Sequence, residues 1–216
     1  MSKPKIAILG GTGDLGSGLA KCWAKAGYPV VIGSRSADKA KAAAAELGAG
    51  AQGDDNVNAA KAADVIVVAV PFGSHEATLL EIKDAAQGKI VVDAAVPLVP
   101  PKVSTVQLPA EGSAAQIAQK LLGEGVRVVS AFHNVGAAKL HAGGRADCDV
   151  LVFGNDKDAR ELVIGLAAEV GSAGIDGGVL ANSAAAEALT SVLIGINRRY
   201  KVLGAGIKIT GLATAG

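Results

Sequence analysis

Three closely spaced glycines near the start of the chain could bind a phosphate. The segment Gly11-Thr12-Gly13-Asp14-Leu15-Gly16 is a GxGxxG motif, and it follows a short apolar run at positions 6–9. In such a motif the first glycine permits a tight turn, the second lets the backbone approach a pyrophosphate, and the third lets the next helix pack against the strand. The start of that helix also offers free N–H groups and a partial positive charge to an anion. The motif therefore predicts a dinucleotide-binding turn.

The end of the second apolar run indicates which dinucleotide binds. NAD-binding proteins place Asp or Glu there to hold the adenosine ribose 2′-hydroxyl, whereas this run ends in Gly33-Ser34-Arg35-Ser36 with no carboxylate. Arg35 can form a forked contact with a 2′-phosphate, Ser34 can donate a hydrogen bond, and Lys39 adds a charge one turn into the next helix. The segment favours NADP(H) over NAD(H), with a solvated arginine at a helix start as the simpler alternative.

A third candidate segment, Val70-Pro71-Phe72, ends the next apolar run. It falls at the carboxyl edge of the sheet, where ligands of open α/β sheets bind. The proline either fixes a loop beside the nicotinamide ribose or simply ends the strand. We expect His75, just beyond, to be a surface or capping histidine. Asn182 and Ser183 are expected to cap the last helix.

The elements that must position these residues alternate along the chain. Apolar runs without period-two alternation indicate strands buried on both faces, and helical periodicity separates them. This pattern predicts an α/β fold, a Rossmann-type doubly wound parallel sheet, with a small helical appendage at the C-terminus. We expect an NADP-binding Rossmann domain at residues 1–180, with a helix and tail at 181–216 as the appendage. Strands are predicted at 5–9, 28–33, 65–70, 89–93, 127–130, 150–153 and 173–176, and helices at 14–26, 36–47, 74–85, 113–122, 156–170 and 182–200.

Composition excludes several classes of function. The 21 basic and 20 acidic residues give a net charge of +1, and the chain has six aromatic residues, namely one Trp, two Tyr and three Phe. Such a chain lacks the basic field and the stacking platform of a nucleic-acid-binding protein. The longest apolar run is much shorter than a membrane span. Cys22 and Cys148 form neither a disulfide framework nor a metal motif, so we expect a cytoplasmic protein without a bound metal.

Three parts of the chain together resemble one known family. The first is the pair of segments 8–16 and 31–39, the second is Val129-Ser130-Ala131-Phe132-His133 with Ala137-Ala138, and the third is the closing stretch 189–211. These segments resemble, in the same order, the NADPH-dependent reductases of the deazaflavin coenzyme F420, also called F420-dependent NADP oxidoreductases. The chain departs from the family pattern at 134–136 and at Asp93-Ala94-Ala95, both expected near the acceptor pocket.

The resemblance implies an enzyme that transfers a hydride between NADP(H) and coenzyme F420 and works as a homodimer or a higher homo-oligomer. It also implies that the helix and tail at 181–216 complete the active site and form the oligomer interface. Ala137 and Ala205 match places where small groups face the two stacked rings. The residues that the resemblance places on NADP are Gly11, Thr12, Gly13, Asp14, Leu15, Ser34, Arg35 and Lys39, with Val70, Pro71, Phe72 and Leu98 beside the nicotinamide half.

Other residues and other functions stay open at the level of sequence. His133 either hydrogen-bonds the deazaflavin or orders the loop after its strand. Arg198, Arg199 and Lys201 either receive the phosphate or glutamyl carboxylates of F420 or complement the dipole of the last helix. The alternative functions are an NADPH-dependent reductase of a flavin or another small acceptor, and a non-catalytic NADP-sensing module. A sensor needs no second pocket, whereas the segments around Ala137 and Ala205 suggest one.

Overall fold

One eight-stranded sheet forms the centre of the molecule in the computed structural model, which describes residues 2–142 and 146–212. The strand order is β3-β2-β1-β4-β5-β6-β7-β8. The chain adds β2 and β3 on one side of β1 and then β4 to β8 on the other side, so the strand order switches between β1 and β4. This order contains the classic dinucleotide-binding arrangement and adds two strands at one edge. The strands are β1 (Ile6–Leu9), β2 (Val30–Ser34), β3 (Gln52–Asp55), β4 (Val65–Val68), β5 (Ile90–Asp93), β6 (Arg127–Ser130), β7 (Asp149–Gly154) and β8 (Ala173–Gly178).

Six of the seven strand pairs are parallel, and the β6–β7 pair is antiparallel. The antiparallel pair is short, with Val129 opposite Gly154 and Ser130 opposite Phe153. The predicted α/β class and the Rossmann-type sheet are confirmed, but the expectation that every pair is parallel is wrong at this point. The antiparallel pairing adds β7 and β8 at one edge of the sheet. The strands from β3 to β6 remain parallel, so their carboxyl ends still lie at the same edge.

Eight α-helices cover the described parts of the sheet. The central strands are buried along their whole length, which explains their apolar runs. Two apolar clusters, one on each face of the sheet, form the core. The helices are α1 (Asp14–Lys25), α2 (Ala37–Leu47), α3 (Asn56–Ala62), α4 (Phe72–Ile82), α5 (Ala114–Leu122), α6 (Ala137–His141), α7 (Lys157–Glu169) and α8 (Ser183–Tyr200), with a 3₁₀ turn at Leu180–Asn182.

Three elements are absent from the sequence prediction. Strand β3 has the polar sequence QGDD and no buried residue, because it lies at the edge of the sheet. Helix α3 follows it and is capped by Asp55, whose carboxylate accepts a hydrogen bond from the backbone N–H of Asn58 at 2.8 Å. Helix α6 has only five residues. Each element is too polar or too short to produce a periodic apolar signal.

Helix α8 is attached to the sheet domain by buried polar groups. The carboxylate of Glu187, with no exposed surface, accepts hydrogen bonds from the backbone N–H groups of Ala114 and Ala115, at 2.6 and 3.2 Å. Ser183 donates its hydroxyl to that of Ser113 at 2.8 Å. The expected capping by Asn182 and Ser183 is wrong, because neither side chain bonds the first turn of α8. The Ser183 hydroxyl joins two helices instead.

The described part of the chain contains no helix that is both long enough and apolar enough to cross a membrane.

Candidate functional site

The glycine turn between β1 and α1 has no room for side chains. A Cβ added at Gly16 would lie 2.5 Å from the carbonyl oxygen of Gly10, and one at Gly11 would lie 2.8 Å from that of Ile8. Gly10 has a φ of +80°, a conformation that L side chains rarely adopt. Gly13 precedes α1, and no side chain caps the helix there. The turn therefore presents bare backbone. The N–H groups of Gly11 and Gly13 already donate to the carbonyls of Ile8 and Gly10, so the free N–H groups that a pyrophosphate requires are those at the start of α1.

The turn lies where open α/β sheets bind ligands. Strand β1 pairs with β2 on one side and β4 on the other, and Leu9 is aligned with Gly33 and with Val68. These are the carboxyl ends of strands that flank the reversal of strand order. A ligand in this crevice would contact the loops that follow β1, β2 and β4.

A small polar cavity opens on one side of the turn. It has a volume of about 190 Å³, and Ser34 and Arg35 line it together with the glycine turn. Arg35 is exposed, and Ser34 is half-buried. The Ser34 hydroxyl accepts a hydrogen bond from the backbone N–H of Ser36 at 3.3 Å. The structure thus brings Ser34 and Arg35 to the glycine turn, as the sequence predicts. We call this space the adenosine cavity.

Asn56 is a lining residue of the adenosine cavity that sequence reasoning missed. Its side chain is 2% exposed, and its Oδ1 has no hydrogen-bond partner within the described residues. Its Nδ2 donates to Oε2 of Glu81 at 3.0 Å, and this fixes the amide orientation because a carboxylate only accepts. A buried carbonyl oxygen without a partner is costly, so its position in a cavity wall indicates a donor on a ligand. Asn56 lies beside Gly33 because β3 pairs with β2. The sequence did not predict β3, so no local pattern identifies Asn56 as a site residue.

Lys39 faces a different space. It lines a crevice of about 630 Å³ between α1 and α2, together with Thr12 and His141. Thr12 lines both this crevice and the adenosine cavity. Ser36 begins α2 as predicted, with its hydroxyl accepting from the Lys39 backbone N–H at 3.4 Å. Lys39 therefore shares a crevice with Gly11 and Thr12 of the glycine turn and is not a lining residue of the adenosine cavity.

A larger, mostly apolar cavity of about 600 Å³ lies on the other side of the turn. Asp14 is its only ionisable lining residue among those described. Gly13 and the segment Ala69-Val70-Pro71 line this cavity and the adenosine cavity, so the two lie side by side. We call it the ring cavity. It brings together the predicted residues Asp14, Leu15, Val70, Pro71, Phe72 and Leu98, and adds Gly73, Ala94, Ala95, Val96, Pro100 and Val103.

A buried ion pair lies behind the ring cavity. His75 Nε2 is 2.6 Å from Asp93 Oδ2, and the two side chains are 1% and 0% exposed. The expectation that His75 is a surface or capping residue is wrong, because α4 directs its first turn toward the end of β5. Burial alone would lower the pKa of His75, but the charge and hydrogen bond of Asp93 and the nearby Glu187 and Glu76 raise it above its ordinary value.

His133 is a buried residue of the loop after β6. It is 7% exposed, and its Nε2 lies 3.1 Å from the hydroxyl of Ser130. Burial lowers its pKa to about 4, against the opposing effect of Asp93, so the imidazole is neutral at neutral pH. Its carbonyl accepts a hydrogen bond from the hydroxyl of Thr190 on α8 at 3.1 Å. His133 thus connects the loop to the last helix and is not a lining residue of either cavity.

The segments of Ala137 and Ala205 meet at their glycines. A Cβ on Gly136 would lie 3.0 Å from Cα of Gly204. Ala205 is held in place because its backbone N–H donates to Asn197 Oδ1 at 2.7 Å. Both alanines are half-buried, and neither lines the ring cavity. The predicted small-residue wall is therefore assembled at the contact of Gly136 with Gly204 and is not part of the lining of the ring cavity.

The basic cluster lies at the C-terminal end of α8. Arg198 and Arg199 are in its last turn, and Lys201 follows in a left-handed conformation with a φ of +53°. Arg198 donates to the hydroxyl of Ser104 at 3.4 Å, which joins the helix end to the loop after β5. Within residues 2–142 and 146–212, no group of three or more His, Cys, Asp or Glu side chains could hold a metal ion.

Sequence comparisons agree with this geometry. A family model described as NADP oxidoreductase, coenzyme F420-dependent, matches residues 5–97. The F420-dependent NADP reductase of Methanocaldococcus jannaschii is 42% identical, and the match covers 96% of this chain and 99% of that protein. The enzyme of the same name from Methanothermobacter marburgensis is 41% identical, with the same coverage of both chains. The similarity therefore extends from the glycine turn to the C-terminal tail.

A comparison with solved structures gives the same result for the fold. A structure from Arthrobacter sp. FB24, provisionally described as an F420-dependent NADP-reductase, superposes with a TM-score of 0.80. It is 27% identical in sequence, and the match covers 96% of this chain and 99% of that one. The β7–β8 extension and the last helix are therefore included in the match.

Proposed function

The chain belongs to the family of coenzyme F420-dependent NADP oxidoreductases, and from that premise we propose where its two substrates bind and how it transfers a hydride between them. The reaction moves a hydride between NADP(H) and the deazaflavin F420. The observation that carries the assignment of sites is that a polar and an apolar cavity adjoin at one glycine turn and share its residue Gly13 as a lining residue.

The polar side of the turn holds the adenosine half of NADP(H). Gly11, Thr12 and Gly13 offer backbone to the pyrophosphate, and the absence of side chains there satisfies the need for close approach. Arg35 and Ser34 contact the 2′-phosphate, and Lys39 adds charge from the neighbouring crevice. The orphan Oδ1 of Asn56 accepts from a hydroxyl of the ribose. The residues present thus fit the cofactor.

The apolar side of the turn holds the nicotinamide ring and the reacting part of the deazaflavin. Asp14 and Leu15 begin α1 at its rim, while Pro71, Phe72 and Leu98 form its walls. A hydride passes between two planar carriers only when the donor and acceptor carbons are near contact distance, so the protein contributes orientation and exclusion of water. An apolar cavity suits this chemistry because it needs neither a metal nor a nucleophile.

The C-terminal part of the chain completes the acceptor side. We place Ala137 and Ala205 along the remainder of the deazaflavin, where larger side chains would force the rings apart. His133 serves as a positioning residue, since its neutral ring and its carbonyl join the β6 loop to α8. The division into a Rossmann domain at 1–180 and a completing segment at 181–216 follows from these roles.

Assembly and location belong to the same proposal. Tyr200 and Leu203, at and after the end of α8, are 67% and 85% exposed, and this apolar surface supports a homodimer or a higher homo-oligomer. Both cysteines are free thiols, Cys22 half-buried and Cys148 buried, which agrees with a reducing cytoplasm. Sedimentation of the purified protein would measure the assembly.

An absorbance assay tests the function directly. The protein is mixed with NADPH and purified F420, and we expect the visible absorbance of the deazaflavin to bleach as the hydride is transferred. FMN in place of F420 tests the flavin reductase alternative, and NADH in place of NADPH tests the assignment of Arg35. Bleaching of F420 with NADPH, and little reaction with FMN or NADH, is the expected result.

The other outcomes have definite meanings. Equal rates with FMN would contradict the choice of a deazaflavin as the acceptor. Tight NADPH binding by calorimetry without transfer to either acceptor would favour a sensing module. Equal affinity for NADPH and NADH would contradict the assignment of Arg35 and Ser34 to a 2′-phosphate contact.

A further inference from the structure

The His75–Asp93 pair contacts two walls of the ring cavity from behind. Asp93 ends β5, and its Oδ1 accepts a hydrogen bond from the backbone N–H of Ala95 at 3.0 Å, while its Oδ2 contacts His75. The His75 ring is stacked with the ring of Phe72, with centroids 6.0 Å apart and planes at 26°. Phe72 and Ala95 both line the ring cavity, whereas His75 and Asp93 do not.

This arrangement joins two elements that are separate in sequence. Phe72 begins α4, and Ala95 lies in the loop after β5, so the pair connects the two walls through one ring contact and two hydrogen bonds. Buried ion pairs are weak contributors to stability, because desolvation offsets much of the attraction. A fully buried pair at this position therefore calls for a reason other than stability, and its contacts with both walls supply one.

We propose that His75 and Asp93 are positioning residues for hydride transfer, which hold Phe72 and the Ala94–Ala95 backbone at the spacing that the two rings require. The inference rests on the proposed binding of the rings in the ring cavity. Neither residue touches a reacting atom, and the pair acts through the walls it supports. A displacement of about 1 Å between reacting groups can lower a rate about 100-fold.

The charge on the pair is set by its buried surroundings. Asp93 on β5 and Glu76 on α4 favour the protonated form of His75, and Glu187 on α8 adds to this effect when its own carboxyl is ionised. The carboxyl of Glu187 is itself affected by Asp93 and by His75. The Nδ1 of His75 has no partner among the described residues, so Asp93 supplies the one hydrogen bond that orients the ring. Loss of the His75 proton would weaken that bond and loosen the hold on Phe72.

Three conservative variants separate the contacts. His75→Gln keeps a donor for Asp93 but removes the ring that stacks on Phe72. Asp93→Asn keeps an oxygen for the Ala95 N–H and can donate to a neutral His75, so it removes the charge while preserving the geometry. Phe72→Leu removes the stacked ring without altering the buried pair. If His75→Gln fails to fold, the transfer rate of Phe72→Leu still tests the contact between His75 and Phe72.

The test combines single-turnover hydride transfer, calorimetric NADP affinity and NMR of the imidazole groups. The chain has only three histidines, so the His75 resonance can be assigned by substitution. We expect His75→Gln and Phe72→Leu each to lower the transfer rate about tenfold, with the NADP dissociation constant within about twofold of wild type, because the adenosine half is untouched. We expect Asp93→Asn to lower the pH at which His75 titrates, and to lower by the same amount the pH above which the transfer rate declines.

Contrary results are distinguishable from failure of the proposed function. If wild type does not reduce F420, the proposed function fails, whatever the variants do. If wild type is active and the three variants lose only thermal stability, with unchanged rates and pH profiles, the pair is merely structural and the inference is wrong. An identical His75 titration in wild type and Asp93→Asn would also overturn it.

Discussion

The two cavities beside the glycine turn are built in opposite ways. The adenosine cavity is small, at about 190 Å³, and its walls carry polar groups that await partners, such as Arg35 and Asn56. The ring cavity is about 600 Å³, and its walls are mostly apolar. Asp14 lies at its rim, and the polar groups behind its wall, His75 and Asp93, are paired with each other.

This difference corresponds to two different tasks. Recognition of a charged cofactor requires groups that touch it, since each charge-assisted hydrogen bond contributes about 1.5–3 kcal/mol. Hydride transfer between planar rings requires shape and the exclusion of water, so polar groups serve it best when they hold the walls in place. Substitutions on the two sides should therefore alter different kinetic constants.

A large side chain added at Gly73 should block the ring cavity, and we expect it to lower turnover more than any other substitution discussed below. Gly73 lies in the first turn of α4, it lines the ring cavity, and a Cβ there meets nothing within 4 Å. We expect Gly73→Leu to lower turnover roughly 100-fold, because the added side chain displaces the rings. Stopped-flow measurement of F420 reduction and calorimetric measurement of NADP affinity would show whether only turnover changes.

The matched control for this substitution is Gly73→Ala. Its smaller side chain should stabilise α4 by about 0.5–1 kcal/mol relative to glycine and leave most of the turnover intact. A Gly73→Leu enzyme with normal turnover would mean that the rings do not occupy this cavity.

Removal of Arg35 should produce the next largest effect, on the other side of the turn. We expect Arg35→Ala to raise the KM for NADPH roughly 10- to 100-fold, because a charge-assisted contact with the 2′-phosphate is lost. The kcat and the KM for NADH should change little. Steady-state kinetics with both cofactors would measure this, with Arg127→Ala as the control, since Arg127 is exposed at the opposite end of the sheet, at the start of β6. Equal loss with NADPH and NADH would contradict a 2′-phosphate contact.

Removal of the Asn56 side chain should weaken the binding of both NADPH and NADH, by a smaller factor than the Arg35 substitution. We expect Asn56→Ala to raise the dissociation constants of NADPH and NADH roughly 3- to 10-fold, because a neutral hydrogen bond contributes about 0.5–1.5 kcal/mol. Calorimetry with each cofactor would measure both constants. Asn58→Ala changes the same residue type on the exposed face of α3, where its amide bonds Asp55, so an equal loss in that variant would show that the effect arises from α3 itself rather than from a ligand contact.

The adenosine side could be predicted from sequence because its signals are local. The spacing of Gly11, Gly13 and Gly16, and the lack of a carboxylate beside Arg35, need no knowledge of distant contacts. Asn56 could not be predicted as a site residue because it follows an edge strand with no apolar pattern. Its role depends on where β3 pairs, which short polar sequences do not reveal.

The ring side was predicted only in part, because its main features are pairings between distant residues. The position of Val70-Pro71-Phe72 follows from the end of a strand. That His75 faces Asp93, 18 residues along the chain, depends on the packing of α4 across β5. The same is true of Glu187, which meets the start of α5 from a helix more than 70 residues away.

Glu187 offers the smallest and most specific test of the buried groups behind the ring cavity. Burial and the charge of Asp93 raise the pKa of its carboxyl from 4.5 to about 8, although the N–H groups of Ala114 and Ala115 oppose this. Between these two pH values the native carboxyl keeps its proton while the unfolded one has lost it, so each rise in pH favours unfolding. We expect the free energy of unfolding of wild type, relative to Glu187→Gln, to be highest below pH 4.5 and to fall up to about pH 8. The slope should not exceed about 1.4 kcal/mol per pH unit.

Urea denaturation of both proteins across this pH range would measure the difference, since groups common to both proteins largely cancel. A difference that does not change with pH would mean that the two N–H donors outweigh burial and keep the carboxylate ionised in the native state. In that case Glu187 and Asp93 would both be negative beside His75, and the proton on His75 would be held more strongly than by Asp93 alone. The Glu187→Gln substitution should then lower the pH at which His75 titrates by NMR, which connects the stability of the last helix to the group that supports the ring cavity.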